Sequence, residues 1–133
     1  MRGYRIAVAG VVVNGDKVLI GKKVSSKGHL MSQEWHIPGG KADFGEGAEN
    51  ALIREIKEEA GIDISVVELL DEKIIPSKGF RVLWYLCKAL TLDVVPSDDI
   101  GDAKFVHKSK LRGHCSETAI SLWPDKVVKF IDG

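Results

Sequence analysis

Three glutamates, Glu55, Glu58 and Glu59, stand at i, i+3 and i+4 in the run Arg54-Glu55-Ile56-Lys57-Glu58-Glu59-Ala60-Gly61-Ile62. On a helix that spacing puts three carboxylates on one face. They repel one another, and they fall in the last two turns, near the negative end of the helix dipole, where acids gain nothing. A hard divalent cation reverses these costs, and all-oxygen ligands suit Mg²⁺ or Mn²⁺. The spacing alone leaves open a second reading, a charged, solvated helix face laced with i,i+4 pairs.

The helix that positions them is predicted over residues 47–60. Ala48, Ala51, Leu52, Ile56 and Ala60 recur at three- and four-residue spacing and form one apolar stripe. At 3.6 residues per turn Glu59 falls roughly 20° from Ala48, inside that stripe, where a merely solvating glutamate would not be placed. Gly61 ends the helix, since glycine accepts the left-handed cap conformation. A glycine-containing loop, Gly40-Lys41-Ala42-Asp43-Phe44-Gly45-Glu46, leads into it. Gly39 and Gly40 are expected to let the backbone approach a metal or a phosphate closely.

Taken together, the pattern is Gly40, five residues, Glu46, seven residues, then Arg54-Glu55-Ile56-x-Glu58-Glu59-x-Gly61-Ile62. It resembles the Nudix box across residues 40–62, at all nine fixed positions. Trp35-His36-Ile37-Pro38-Gly39, just before it, is similar to the approach seen in MutT-like members. The resemblance implies metal-dependent hydrolysis of a nucleoside diphosphate linked to another moiety. It implies that Glu55, Glu58, Glu59 and the Gly39 carbonyl hold the metal, with Glu58 and Glu59 the firmer ligands. Glu55 is then the usual base for the attacking water. Lys23 and Lys41 become candidates for substrate phosphates, although Lys22 and Lys23 read equally well as solvated lysines at a strand end. Gly40, Glu46, Arg54 and Gly61 support the box, with an ion pair between Glu46 and Arg54 bracing the loop against the helix. Many members carry a further acid near residues 96–102, which makes Asp98, Asp99 and Asp102 candidates beside the alternative of a solvated turn.

The box names the bond rather than the molecule. The resemblance favours a nucleoside triphosphate pyrophosphohydrolase that releases a nucleoside monophosphate and pyrophosphate. It departs from the members that read oxidised guanine, which use an asparagine after the last strand. Here no asparagine follows Asn50, and the comparable region is His114-Cys115-Ser116-Glu117. An ADP-ribose or sugar-nucleotide pyrophosphatase is the rival, since Pro76 lies fourteen residues past Ile62, close to where members of that preference carry a proline. Dinucleoside polyphosphates and capped RNA are further substrates of the family. A non-catalytic nucleotide-binding regulator usually loses box glutamates, and this chain keeps them all. Family members are often homodimers.

The rest of the chain bounds the answer. At 133 residues it is read as one domain, residues 1–133, large enough to bury a core. Net charge is zero, which gives no footprint for a nucleic-acid polymer or a membrane surface. Two cysteines without metal-type spacing, Cys87 and Cys115, read as buried and reduced in a cytoplasmic protein. Arg2 and Arg5 before the apolar run 6–13 mimic a weak signal peptide, but the turn Asn14-Gly15-Asp16 and the alternating segment after it make a core strand the better reading.

Strands are expected at 4–13, 17–22, 35–37, 62–70 with 73–75, 80–90 and 103–107. A surface loop is expected at 24–34, holding a solvated His29, and a turn at 76–79. A helical turn is expected at 109–111, and a final helix is opened by Ser121-Leu122-Trp123-Pro124. His36 is expected to pack or sit at a rim. Trp84 and Tyr85 are neighbours and so face opposite sides of the sheet, each a core aromatic or a platform for a base. Strands, helix, strands and helix give an α/β/α sandwich around a mixed β-sheet, the fold that the resemblance also implies.

Overall fold

The structure, a computed structural model, describes residues 3–22, 34–96 and 102–133. Its strands are β1 (Arg5–Asn14), β2 (Lys17–Lys22), β3 (Trp35–His36), β4 (Gly39–Lys41), β5 (Ile64–Ile75), β6 (Phe80–Ala89) and β7 (Asp102–His107). The helices are α1 (Ala48–Ala60), α2 (Leu111–His114), α3 (Glu117–Ser121) and α4 (Asp125–Asp132). The sheet runs β3-β2-β1-β6-β5, with β4 on β1 and β7 on β2. β1 and β6 pair in parallel and the other ladders are antiparallel. The sheet is therefore mixed, as expected.

Strand alternation splits the core into two layers. Val8, Val12, Leu19 and Tyr85 face α1 and pack on Leu52, Ile56 and Ala60. Val11, Ile20 and Trp84 face the opposite side, where Leu111, Trp123, Val127 and Ile131 bring α2 and α4 down onto the sheet. One layer of helix lies on each face, which makes the α/β/α sandwich. Trp84 and Tyr85 divide between the layers as their adjacency requires. Both cysteines are free and buried, and burial pushes the thiol of Cys87 up to about 12 and that of Cys115 to about 11. None of the described helices is long and apolar enough to cross a membrane.

Helix α1 starts one residue inside the predicted range, with Gly47 as its N-cap, and ends on Gly61 at φ 72°. Several boundaries shift by a residue or two, and Gly39–Lys41, read as the start of a glycine loop, pairs with β1 as strand β4. The two strands expected at 62–70 and 73–75 are one strand, β5, which keeps its pairing to β6 through irregularities at Val66/Glu68 and Leu69/Asp71. Such bulges shift the alternation by a residue and hide a continuous strand from a period-2 reading. Ser121 closes a separate short helix, α3, whose N-cap Ser116 accepts from the Ala119 N–H, and Pro124 is the N-cap of α4. Five residues are too few to show a helical period. The turn read at 109–111 opens at Lys108 and leads into α2.

Strand β4 is held very close to β1. A Cβ on Gly39 would overlap the Val8 carbonyl and lie 2.8 Å from the Ala9 Cα. The backbone on both sides is fixed by the ladder, so nothing flexible can give way. Gly39→Ala is expected to lose about 1–3 kcal/mol of stability in urea unfolding, as overpacking does. Gly113→Ala, where the new methyl meets nothing within 4 Å, serves as the control and stays neutral or gains.

Candidate active site

Helix α1 presents the acids as the spacing requires. Glu59 is only 3% exposed and lies within the face that packs on the sheet. Glu55 is partly buried, with its side chain 15% exposed, and Glu58 is largely open at 58%. A carboxylate sunk as far as Glu59 is costly to keep charged without compensating partners. Among the described residues no three His, Cys, Asp or Glu side chains already converge as a cation cage. The donors nevertheless suit a hard divalent ion in kind, being oxygen throughout and on one side of one helix.

The glycines ahead of the helix allow close approach within the protein itself. The space that each missing Cβ leaves is filled by the protein itself. At Gly39 it is filled by the backbone of β1, and at Gly40 by the carboxylate of Glu55, which lies against the position that a Cβ would take. Gly40 thus seats a glutamate of α1 on β4. The ladder also orients the carbonyls. Gly10 N–H donates to Pro38 O and Ala42 N–H to Ile6 O. Val8 and Gly40 are then the hydrogen-bonded pair, so the Gly39 and Lys41 carbonyls point away from β1.

Arg54 ties these pieces together. Its Nε and one terminal nitrogen each stand 2.9 Å from the two Glu46 oxygens, a bidentate pair. The nitrogen that reaches Glu46 also donates to the Lys41 carbonyl at 3.2 Å. The other terminal nitrogen meets Glu55 at 3.2 Å and Glu58 at 3.1 Å. Asp43 stands 3.7 Å away. The guanidinium, helped by the Asp43 N–H, holds the Glu46 carboxyl well below its ordinary value, at about 2. Hydrogen bonding to Glu46, first of all, keeps Arg54 more firmly charged than a free arginine.

On the other face of β4 lies a cleft of about 260 Å³. Its floor is made by the small side chains of Ala7 and Ala9 with Phe80 and Trp84, and Leu122 and Trp123 wall it from the helical side. His36 lines it and is buried, with its Nδ1 2.8 Å from the Glu34 carbonyl, the packing alternative of the two expected. Lys41 lines it too, its Nζ 5.6 Å from the centre of the Phe80 ring. The Trp84 indole N–H is sealed from solvent and meets no acceptor among the described residues. Sequence reasoning named Trp84 and Lys41 singly but missed Phe80, Leu122 and Trp123 as walls of one space. The signal available was the pair of alanines at alternate positions of an otherwise bulky strand. Lys23, Asp98, Asp99 and His29 lie outside the described residues. Asp102 is exposed, and its carboxylate accepts from the Ala103 N–H at 2.8 Å, a local turn contact.

The Glu46 pair carries a pH signature. Because its carboxyl is depressed from 4.5 to about 2 in the folded chain, its stabilisation is complete above 4.5 and is lost as pH falls through that window. Glu46→Gln is therefore expected to lower the urea midpoint at neutral pH and to close its gap to the parent protein as pH falls from 4.5 towards 2. A gap that stays constant across the window would separate Glu46 from the acid response.

Similarity to known proteins agrees with this geometry. A family model described as the NUDIX domain matches residues 3–128. The chain is 33% identical over 85 residues to a MutT-like protein of Streptomyces ambofaciens, covering 64% of this chain and 52% of that protein. It is 28% identical over 110 residues to an ADP-ribose pyrophosphatase of Methanocaldococcus jannaschii, covering 80% of this chain and 63% of that one. In both cases the chain spans less than two thirds of the relative's own length. Among solved structures, a NUDIX hydrolase from Nitrosomonas europaea superposes with a TM-score of 0.82 at 17% identity, covering 99% of this chain and 72% of that one, which is a likeness of fold. The family model runs from β1 into the first half of α4, and the chain belongs to the Nudix family.

Proposed function

We propose that the protein hydrolyses the anhydride of a nucleoside diphosphate linked to another group, with a nucleoside triphosphate as the first choice of substrate. The observation that carries this reading is the sharing of β4. Its α1 side seats Glu55, which shares one arc of α1 with Glu58 and Glu59, and its other side forms a wall of an aromatic cleft. A nucleotide has both parts to match, a flat ring for the cleft and a charged anhydride for the acids. The cleft's 260 Å³ is below the ~300–1,000 Å³ of sites that take a whole drug-sized ligand. It suits one ring, with the phosphates left outside at the edge of β4.

Phosphate anhydrides resist attack because their negative charge repels nucleophiles. Glu55, Glu58, Glu59 and the outward carbonyl of Gly39 would hold a divalent cation, Mg²⁺ or Mn²⁺, which when bound supplies charge neutralisation and Lewis acidity to the anhydride. The chain's own residues do the rest. Glu55, seated on Gly40, is placed to take the proton from the attacking water. Arg54 fixes the loop so that β4 and α1 keep one spacing. Lys41, at the cleft's edge, meets the emerging phosphates. Water adds at phosphorus, the anhydride P–O bond breaks, and a nucleoside monophosphate and pyrophosphate leave.

A second reading, an ADP-ribose pyrophosphatase, has its own support. The relative of that name aligns over 80% of this chain, and the Pro76–Lys78 turn leads through Gly79 into Phe80, a wall of the cleft. A turnover panel separates the two. It holds the common nucleoside triphosphates, ADP-ribose, sugar nucleotides and dinucleoside polyphosphates, each with Mg²⁺ or Mn²⁺ and with chelator. Triphosphate turnover with pyrophosphate release and loss on chelation is expected, and turnover of ADP-ribose alone would transfer the assignment. Glu58→Gln should keep the fold and lower turnover by about a hundredfold or more, ~2.7 kcal/mol in the barrier. Near-normal turnover in that variant would remove Glu58 from the metal site.

A further inference from the structure

Two cations meet one aromatic ring beside the cleft. The Arg5 guanidinium carbon is 6.0 Å from the centre of the Phe80 ring, and Lys41 Nζ is 5.6 Å from the same centre. Neither side chain forms an ion pair among the described residues. Strand register brings them there independently of side-chain conformation. Arg5 is opposite Phe80 in the parallel ladder, and Lys41 is opposite Ala7 in the antiparallel one. Alternation along β1 gives Arg5 the same face as Ala7 and Ala9, which are the floor of the cleft. Arg5 is exposed and lies one alternate position beyond that floor.

A single cation over an aromatic ring is a common packing device. Two like charges gathered on one ring with no ion-pair partner among the described residues repel each other, and they leave net positive charge where the cleft meets β4. A guanidinium there offers a planar fork that fits phosphate oxygens in pairs, which an ammonium cannot do.

We infer that Arg5, acting with Lys41, receives the phosphate chain of a nucleotide whose ring occupies the cleft, and so makes binding rise with the number of phosphates. This rests on the reading of the cleft given under the proposed function. Arg5 is a binding and selectivity residue, since the bond that breaks lies on the α1 side of β4.

The test is calorimetric titration of the full chain with inorganic phosphate, pyrophosphate and tripolyphosphate, in the absence and presence of Mg²⁺, for the parent, Arg5→Gln and Arg5→Lys. The parent is expected to bind tripolyphosphate tightest and phosphate weakest. Arg5→Gln weakens tripolyphosphate by about tenfold, the scale of one charge-assisted hydrogen bond, and leaves single phosphate within about twofold, as a screened surface charge does. Arg5→Lys falls between, keeping the charge and losing the fork. If Arg5→Gln follows the parent across all three anions, or if the parent shows no dependence on chain length, the inference fails. A lowered unfolding midpoint with unchanged titrations would then assign Arg5 to a packing contact on Phe80. The titrations read no turnover, so their outcome is independent of whether the anhydride hydrolysis above is found.

Discussion

One guanidinium holds the site together. Arg54 reaches from the middle of α1 back over the loop that precedes it, and it takes hydrogen-bond acceptors from three places. These are the two Glu46 oxygens of the loop, the Lys41 carbonyl at the end of β4, and the Glu55 and Glu58 carboxylates of its own helix. A rigid fork of five donors is what that geometry needs, and lysine has neither the fork nor the number of donors. Without the positive charge, four carboxylates from residues 43, 46, 55 and 58 would converge on one region with only repulsion among them. Charge attraction in turn keeps Arg54 protonated and Glu46 ionised, so the brace is insensitive to pH over the neutral range.

With the loop fixed, β4 becomes a partition with two different sides. Residues 39 and 41 face the sheet side that carries the cleft, and residue 40 faces α1. The small size of the glycines is what lets so thin a wall work. At Gly39 the backbone of β1 presses in, and at Gly40 the Glu55 carboxylate does. An added methyl at either place pushes on a different neighbour, on main chain in the first case and on a side chain that can rotate in the second. The two substitutions therefore separate stability from chemistry. Gly39 is tied to the sheet, and Gly40 to the position of a glutamate.

Much of this was legible in the sequence. The apolar stripe from Ala48 to Ala60 and the glycine at 61 fixed the helix to within a residue, since a strongly amphipathic helix with a left-handed cap has few alternatives. The same stripe marked Glu59 as a buried acid. The Glu46–Arg54 contact followed from both being box positions. What stayed hidden was hidden for physical reasons. The bulged β5 breaks its own alternation, α3 is shorter than two helical turns, and the cleft is assembled from residues 7, 9, 41, 80, 84, 122 and 123. No local period connects these residues; the pairing of β1 with β4 and β6 and the docking of the C-terminal helices do. At Gly39 and Gly40 the sequence marks a close approach, but not that the β1 backbone and the Glu55 carboxylate are the atoms that make it.

Positions that break local rules are concentrated in one region. Away from β4 and α1 the chain is consistent with itself: apolar residues alternate into the two layers, glycines with positive φ fall at turns and at the α1 cap, and both cysteines are buried. Around β4 the pattern reverses. Acids crowd the wrong end of a helix, Glu59 sits 3% exposed, and among the described residues the Trp84 N–H meets no acceptor and neither Arg5 nor Lys41, which share a ring, has an acidic partner. Positions that break local rules tend to be kept where binding or chemistry uses them. The balance of charge also differs by side. Carboxylates outnumber the single Arg54 guanidinium on the α1 face of β4, and Arg5 and Lys41 lie on the cleft face. An anhydride has that polarity when paired with a cation: phosphate oxygens that seek Arg5 and Lys41, and a bound metal that seeks the glutamates. The edge of β4 is where such a ligand satisfies both sides at once.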